Sequence, residues 1–364
     1  MHKRINTLQY CRAIAALAVL FAHAMIATAA FVAPPPEALR VLAMNGLLGV
    51  DFFFVLSGFI IMHAHMDDSR SAGSALRYGI KRLRRIYIPY LPVALGLIAL
   101  YWLFPAISRN NRDWGMLTSL TLFPTSHPPA LVVAWTLSHE ILFYGLFLVR
   151  YFSRYGMALA LVWAVGIAAA AAGGWSPEVP VLRYLLSPLN LEFIAGMAAA
   201  CAYRRLSVRW WPVLIAGGAA ALTGLFLNLE TEAYRVWFGM ALVPLIVGLA
   251  LLERTGTLRP VNWLLVLGNA SYAIYLVHDP VVSVFARAAA KLHAWEPSLV
   301  ICVAAGIAFG LAYHFGIERP GLRLAAALPW PREHRRTPQP MASEGADHGS
   351  RSPSVRVGTT RAIR

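Results

Sequence analysis

Long apolar runs separated by short polar segments repeat along the first 320 positions of the chain. A helix that crosses the hydrocarbon of a bilayer needs about 20 consecutive, mostly apolar residues. Ten stretches suit that length: 8–30, 41–63, 86–104, 131–149, 157–173, 182–202, 211–228, 236–252, 265–286 and 298–316. Gly268-Asn269 marks the point where the ninth enters the membrane. The pattern predicts an all-α, polytopic membrane protein of about ten transmembrane helices. The longest polar intervals, 64–85 and 105–130, are too short to fold on their own. Any activity therefore has to sit within the bundle or at its rims. After Pro320 the character changes, and from about 330 to 364 the sequence is rich in Pro, Ser, Arg and Gly with almost no apolar content. Residues 1–322 are expected to form one membrane domain, and 323–364 a disordered, basic cytoplasmic tail.

Composition agrees with this. Hydrophobic residues make up 58% of the 364 positions and charged residues 13%, against about 25% charged in a soluble domain. Mean hydropathy is +0.58. The formal net charge of +15 does not imply nucleic acid, because the basic residues punctuate apolar runs instead of covering a water-soluble face. They read as topology signals. Arg70, Arg77, Lys81, Arg82, Arg84 and Arg85 follow the second span, and Arg204, Arg205 and Arg209 follow the sixth. The opposite side carries fewer, among them Arg40, Arg109, Arg112, Arg183 and Arg235. This asymmetry places both termini in the cytoplasm. The opening run has features of a cleaved leader, with Lys3 and Arg4 before it and ATA at 27–29. It is long, however, and holds Arg12 and His23, for which a leader has no use. Cys11, Cys201 and Cys302 stand far apart without metal-ligand spacing and read as structural, with no metal expected.

An ionisable group inside the bilayer costs about 2.5–3.5 kcal/mol on insertion scales, and such groups face the protein interior. In RAIAALAVLFAH, Arg12 and His23 lie eleven residues apart. That is about three turns, so both share one helix face with a rise of about 16 Å between them. A snorkelling Arg12 and a packing His23 are the plain alternative to a shared groove. In GVDFFFVLSGFII, Asp51 is expected to pair with a basic residue, Arg12 being one candidate, and Ser57-Gly58 permits close helix approach. KRLRRIYIPY places four basic residues within positions 81–85. Such a cluster serves equally as a stop signal or as a phosphate site, since guanidinium forks pair with phosphate oxygens. Glu140 in WTLSHEILFY sits near the bilayer centre and needs a partner, a histidine being the obvious one. Ser271, Tyr275 and His278 in NASYAIYLVHDP are spaced i, i+4, i+7 and share a face. Asp279-Pro280 is expected to kink that helix. Buried His and Glu below a basic mouth suit general acid–base chemistry, and equally a proton-coupled transporter.

Taken together, these landmarks resemble the membrane-bound acyltransferases known as the acyltransferase 3 family. The Arg-x10-His opening falls on Arg12 and His23, and GVDxFFVLSGF on Gly49 to Phe59. An RRLxRIxPxY-like boundary falls on Arg82 to Tyr90, and WSLSxExxFY on Trp135 to Tyr144. SYxxYLxHxP falls on Ser271 to Pro280, and IERP on Ile317 to Pro320. The six stand in family order across residues 8 to 320. The opening LQYCRAIAAL is similar to the branch that O-acetylates exopolysaccharides. Two departures are mild: Cys11 replaces a usual aliphatic, and His139, which is not expected to be catalytic, replaces an apolar or aromatic residue. The esterase-like domain fused to some relatives is expected to be absent.

The resemblance implies transfer of an acyl group, acetyl from acetyl-CoA, to a sugar hydroxyl of a bacterial surface polysaccharide or its lipid-linked precursor. It implies an inner-membrane location, with the polysaccharide-export machinery as a candidate partner. Acetyl-CoA is then substrate. Arg84 and Arg85, with Arg12, are expected to bind its phosphates. His23 is expected to act as base or acyl carrier, with Glu140 holding its imidazole. Tyr275, Ser271 or His278 is expected to donate to the thioester oxyanion. The competing reading is a proton-coupled transporter or flippase of a glycan precursor that uses the same His and Glu as a relay.

Overall fold

The computed structural model describes residues 5–104, 113–227 and 234–328; Lys3, Arg4, Arg109, Arg112 and the tail beyond 328 lie outside them. Among the described residues the regular structure is helical throughout: α1 (Asn6–Phe31), α2 (Glu37–Met44), α3 (Gly49–His65), α4 (Ala72–Leu103), α5 (Met116–Thr121), α6 (Trp135–Phe152), α7 (Gly156–Ala172), α8 (Pro180–Leu185), α9 (Asn190–Arg205), α10 (Trp211–Leu227), α11 (Tyr234–Arg254), α12 (Asn262–Ala288), α13 (Trp295–Tyr313) and α14 (Arg319–Ala327). Nine helical segments among them are long and apolar enough to cross a membrane. The fifth expected span is α7, equally apolar but only 17 residues long. The protein is a multi-pass helical membrane protein.

Two boundaries differ from the sequence reading. The interval 64–85 is not a loop: α4 starts at Ala72, where the Ser71 Oγ accepts from the Ser74 amide at 3.1 Å and satisfies one of the free donors of the first turn. At 32 residues the helix is about 48 Å long, well beyond the roughly 30 Å of hydrocarbon, and its basic first turns are helical. The last span continues through a π-helical turn (His314–Glu318) into α14, so residues 323–327 are helix where the tail was expected to begin. Helix α12 continues through Pro280 to Ala288.

Helix α1 lies at the centre, packed on α12, α13, α3 and α11. Its inner face is dominated by alanine, with Ala13, Ala16, Ala22 and Ala24 almost completely buried. Lipid is as apolar as leucine, so close backbone approach holds membrane helices together better than bulky apolar contacts do. The same device joins α3 to α9. Gly58 abuts the Phe193 carbonyl and Gly196 abuts the Val55 carbonyl, leaving no space for a Cβ at either position. The N-terminus of α1 is capped from another helix. Glu253 at the end of α11 accepts from the Asn6 and Thr7 amides, both at 2.7 Å, where the helix dipole favours an anion.

Candidate functional site

A cavity of about 130 Å³ opens between α1, α3, α4, α6 and α12. Arg12, Arg82 and Arg85 line it, together with Ser57, Glu140, Tyr144, Ser271 and Tyr275. Apolar walls come from Phe53, Phe54, Ile60 and Ile86. Helical spacing explains which arginines arrive. Arg82 and Arg85 stand three apart and share a face. Arg84 points elsewhere, donating to the Ala325 carbonyl of α14 at 2.7 Å; it does not line the cavity. The arginine pair at the cavity is therefore Arg82 and Arg85 in place of the expected Arg84 and Arg85, a spacing legible in KRLRR once 81–85 is known to be helix.

Arg85 donates to Glu318 Oε1 at 2.6 Å, and Glu318 is fully buried. The other Glu318 oxygen meets His314 Nδ1 at 2.7 Å. The π-helical turn thus anchors one guanidinium of the rim. Arg12 donates through Nε to Ser271 at 3.1 Å, which joins two expected site residues.

Glu140 sits in the cavity lining, as its membrane depth suggested, but its partners are hydroxyls. Ser57 donates to Oε1 at 3.1 Å, and the Tyr144 hydroxyl donates to the same oxygen. The expectation that Glu140 holds the His23 imidazole has no contact to support it. Tyr275 OH lies 2.9 Å from Thr136 Oγ1 and 3.2 Å from the Val133 carbonyl, fixed against the turn that opens α6.

The two histidines form a pair of their own. The rings of His23 and His278 stand edge to face with centroids 4.8 Å apart. Both therefore lie on the faces by which α1 and α12 pack together, as the Arg12–Ser271 contact also requires. Neither lines the cavity. Tyr275 connects the two regions, since it lines the cavity and its ring lies 5.6 Å from that of His278. His278 Nδ1 meets the carbonyls of Tyr275 and Ile274 at 2.7 and 3.2 Å. Carbonyls only accept, so Nδ1 carries the proton and a neutral His278 presents a bare Nε2. That Nε2 is buried without a hydrogen-bond partner among the described residues. His23 Nδ1 likewise meets its own helix at the Val19 carbonyl, 2.9 Å away. In this arrangement neutral His278 has no N–H to offer an oxyanion; it is an acceptor.

Several other polar groups at depth lie outside the cavity. Asp51 pairs not with Arg12 but with Arg235 of α11, through two bonds of 3.1 and 2.9 Å. Glu192 is fully buried under Gly239 of α11. Neither Arg235 nor Glu192 was singled out by the sequence, although a carboxylate and an arginine at span ends are a readable signal. His139 is buried with Nδ1 3.2 Å from Asn190 Oδ1 and its ring on Tyr184, outside the cavity.

Comparison with known proteins agrees with this architecture. Residues 5–316 match the family described as "Acyltransferase domain". Among curated proteins, the chain is 33% identical over 301 residues to the exopolysaccharide production protein ExoZ of Rhizobium meliloti, covering 78% of this chain and 91% of that one. It is 28% identical to the acyltransferase MdmB of Streptomyces mycarofaciens, covering 88% and 92% of the two chains. It is 24% identical to the peptidoglycan O-acetyltransferase OatA of Listeria monocytogenes, covering 66% of this chain and 46% of that one. No solved structure matches. With the family match spanning nearly all of the helical bundle, the chain belongs to the acyltransferase 3 family of integral membrane acyltransferases.

Proposed function

We propose that the protein moves an acetyl group from acetyl-CoA to a hydroxyl of a bacterial cell-surface or exopolysaccharide sugar, presented as polymer or as a lipid-linked precursor. The observation that carries this reading is the arginine-lined cavity, joined through Tyr275 to a histidine whose Nε2 is bare. The name of the relative in Rhizobium meliloti supports an exopolysaccharide acceptor. Both termini lie in the cytoplasm of an inner-membrane protein on this reading, so the basic rim faces the cytoplasmic donor.

On this reading the arm of the CoA thioester enters the cavity and its nucleotide stays outside. The phosphates stay at the rim on Arg82 and Arg85, with Arg12 deeper along the wall, because guanidinium–phosphate pairs are strong and directional. Glu140 is placed to accept from an amide N–H of the arm. At the inner end the hydroxyl of the acceptor attacks the thioester carbon. The Nε2 of His278 or His23 takes the hydroxyl proton. The C–S bond breaks, the acetyl oxygen ester forms, and the proton passes to the departing thiolate to give CoA-SH. An acetyl group carried briefly on His23 is the ping-pong form of the same transfer. Tyr275 and Ser271 are the remaining donors for the developing oxyanion.

The test uses purified protein in detergent with radiolabelled acetyl-CoA. Consumption of the donor that is abolished by His278→Ala is expected. A protein that leaves acetyl-CoA intact and unbound would be a transporter instead. Mass spectrometry of surface glycans from a deletion strain identifies the acceptor by the acetyl groups that disappear.

A further inference from the structure

Arg82 is held differently from Arg85, and the difference involves a residue outside the family landmarks. The guanidinium Nη2 lies 2.8 Å from His65 Nε2. Arginine only donates, so Nε2 accepts and the proton of His65 sits on Nδ1. Nδ1 is 2.7 Å from Asp68 Oδ2, which also accepts from the Tyr151 hydroxyl at 2.8 Å. A chain of bonds thus runs from Tyr151 through Asp68 and His65 to an arginine of the cavity lining. The loop that carries Asp68 is itself pinned. Arg204 donates to both Asp67 oxygens at 2.7 and 2.8 Å, and Arg150 donates to the Met66 carbonyl. Edge-on contact with Tyr78, ring centroids 5.0 Å apart, fixes the His65 plane.

We propose that His65 is a positioning residue for donor binding, an inference that rests on reading the cavity as an acyl-CoA site. A carboxylate bonded directly to a guanidinium neutralises it and competes with phosphate, as Glu318 does for Arg85. A neutral imidazole between Asp68 and Arg82 orients the guanidinium and leaves its charge for the ligand. The buried Nε of Arg82 has no hydrogen-bond partner among the described residues, a donor held in reserve for an anion. The Arg82 guanidinium also lies 5.6 and 5.8 Å from the rings of Tyr78 and Tyr144, which restricts it to the cavity side.

The experiment measures the Kd of CoA and the KM of acetyl-CoA on the full chain in detergent. His65→Leu removes the acceptor and is expected to weaken CoA binding about tenfold, the size of one hydrogen bond to a charged group, with turnover at saturating donor within about twofold. His65→Gln, whose side-chain oxygen reaches Arg82, is expected to restore most of the affinity. In an Arg82→Ala background the leucine change is expected to add less than about twofold, since the two residues act as one unit. Should His65→Leu fail to accumulate, Asp68→Ala reads the same chain from its far end, with a smaller loss of affinity expected. Unchanged CoA affinity in both variants, or an undiminished His65→Leu effect without Arg82, would overturn the role of His65. If the wild-type protein binds no CoA, the acyl-CoA reading itself falls and His65 is not the cause.

Discussion

The rim arginines and the histidine pair are built on opposite principles. The three arginines of the cavity are tied by side chains from other elements: Arg85 by Glu318, Arg82 by the His65–Asp68 relay, Arg12 by Ser271. Outside the cavity, His23 and His278 are hydrogen-bonded to carbonyls of their own helices. A permanent charge near lipid needs a partner to be held in place. An imidazole needs only its tautomer fixed, and a backbone carbonyl does that without adding charge. The first arrangement leaves guanidinium groups lining the cavity; the second leaves a neutral His278 with a bare Nε2. On the proposed function this difference divides donor binding, at the arginines, from chemistry, at the histidines.

That division predicts a separation of kinetic effects. The largest belongs to the histidines. His278→Ala and His23→Ala are expected to lower turnover by about 10²–10⁴-fold, the range for a lost general base, while CoA still binds and the protein accumulates normally in membranes. Loss of CoA binding in either variant would collapse the distinction between the regions. Next come Arg82→Ala and Arg85→Ala, each expected to raise the donor KM about tenfold or more with turnover largely kept. Glu140→Gln sharpens the boundary, because Glu140 lies in the cavity yet away from the histidines. Exchanging a charged acceptor for a neutral one there is expected to weaken the donor by about threefold to tenfold. Arg84→Ala, two residues from Arg82 but bonded to α14, is expected to change the KM by less than about twofold in the same assay.

The smallest effect concerns acid. Asp68 lies outside the spans. Burial pushes its carboxyl up, but hydrogen bonds from His65 and Tyr151 outweigh that and hold it below its ordinary value. A carboxyl lowered in the folded state contributes stability above its unfolded value of about 3.9, lost as pH falls through the lower folded value. Thermal melts of the solubilised protein are expected to show this loss in wild type and not in Asp68→Asn. Partial exposure of the group keeps the effect small.

Much was legible without coordinates. Apolar length alone determined the number and position of most spans, because a bilayer imposes one length on every helix that crosses it. The eleven-residue interval from Arg12 to His23 and the Ser271, Tyr275, His278 spacing put each set on one face of its helix, because 3.6 residues per turn is fixed by the backbone, but the groove expected to be shared by Arg12 and His23 receives Arg12 and not His23. The Ser57-Gly58 approach was likewise readable from residue size.

What only the tertiary structure decided is which faces meet. Glu140 seemed suited to a histidine and instead took the hydroxyls of Ser57 and Tyr144. Asp51 found Arg235, 184 positions away, in place of Arg12. Arg82 lines the cavity where Arg84 was expected, because 81–85 belong to a helix that begins at Ala72, within a stretch whose polarity reads as loop. Periodicity ranks the faces of one helix, but it carries no information about the rotation and register of its neighbours. Those are set by where small residues such as Gly58, Gly196 and the alanines of α1 let backbones approach, a property of the whole bundle.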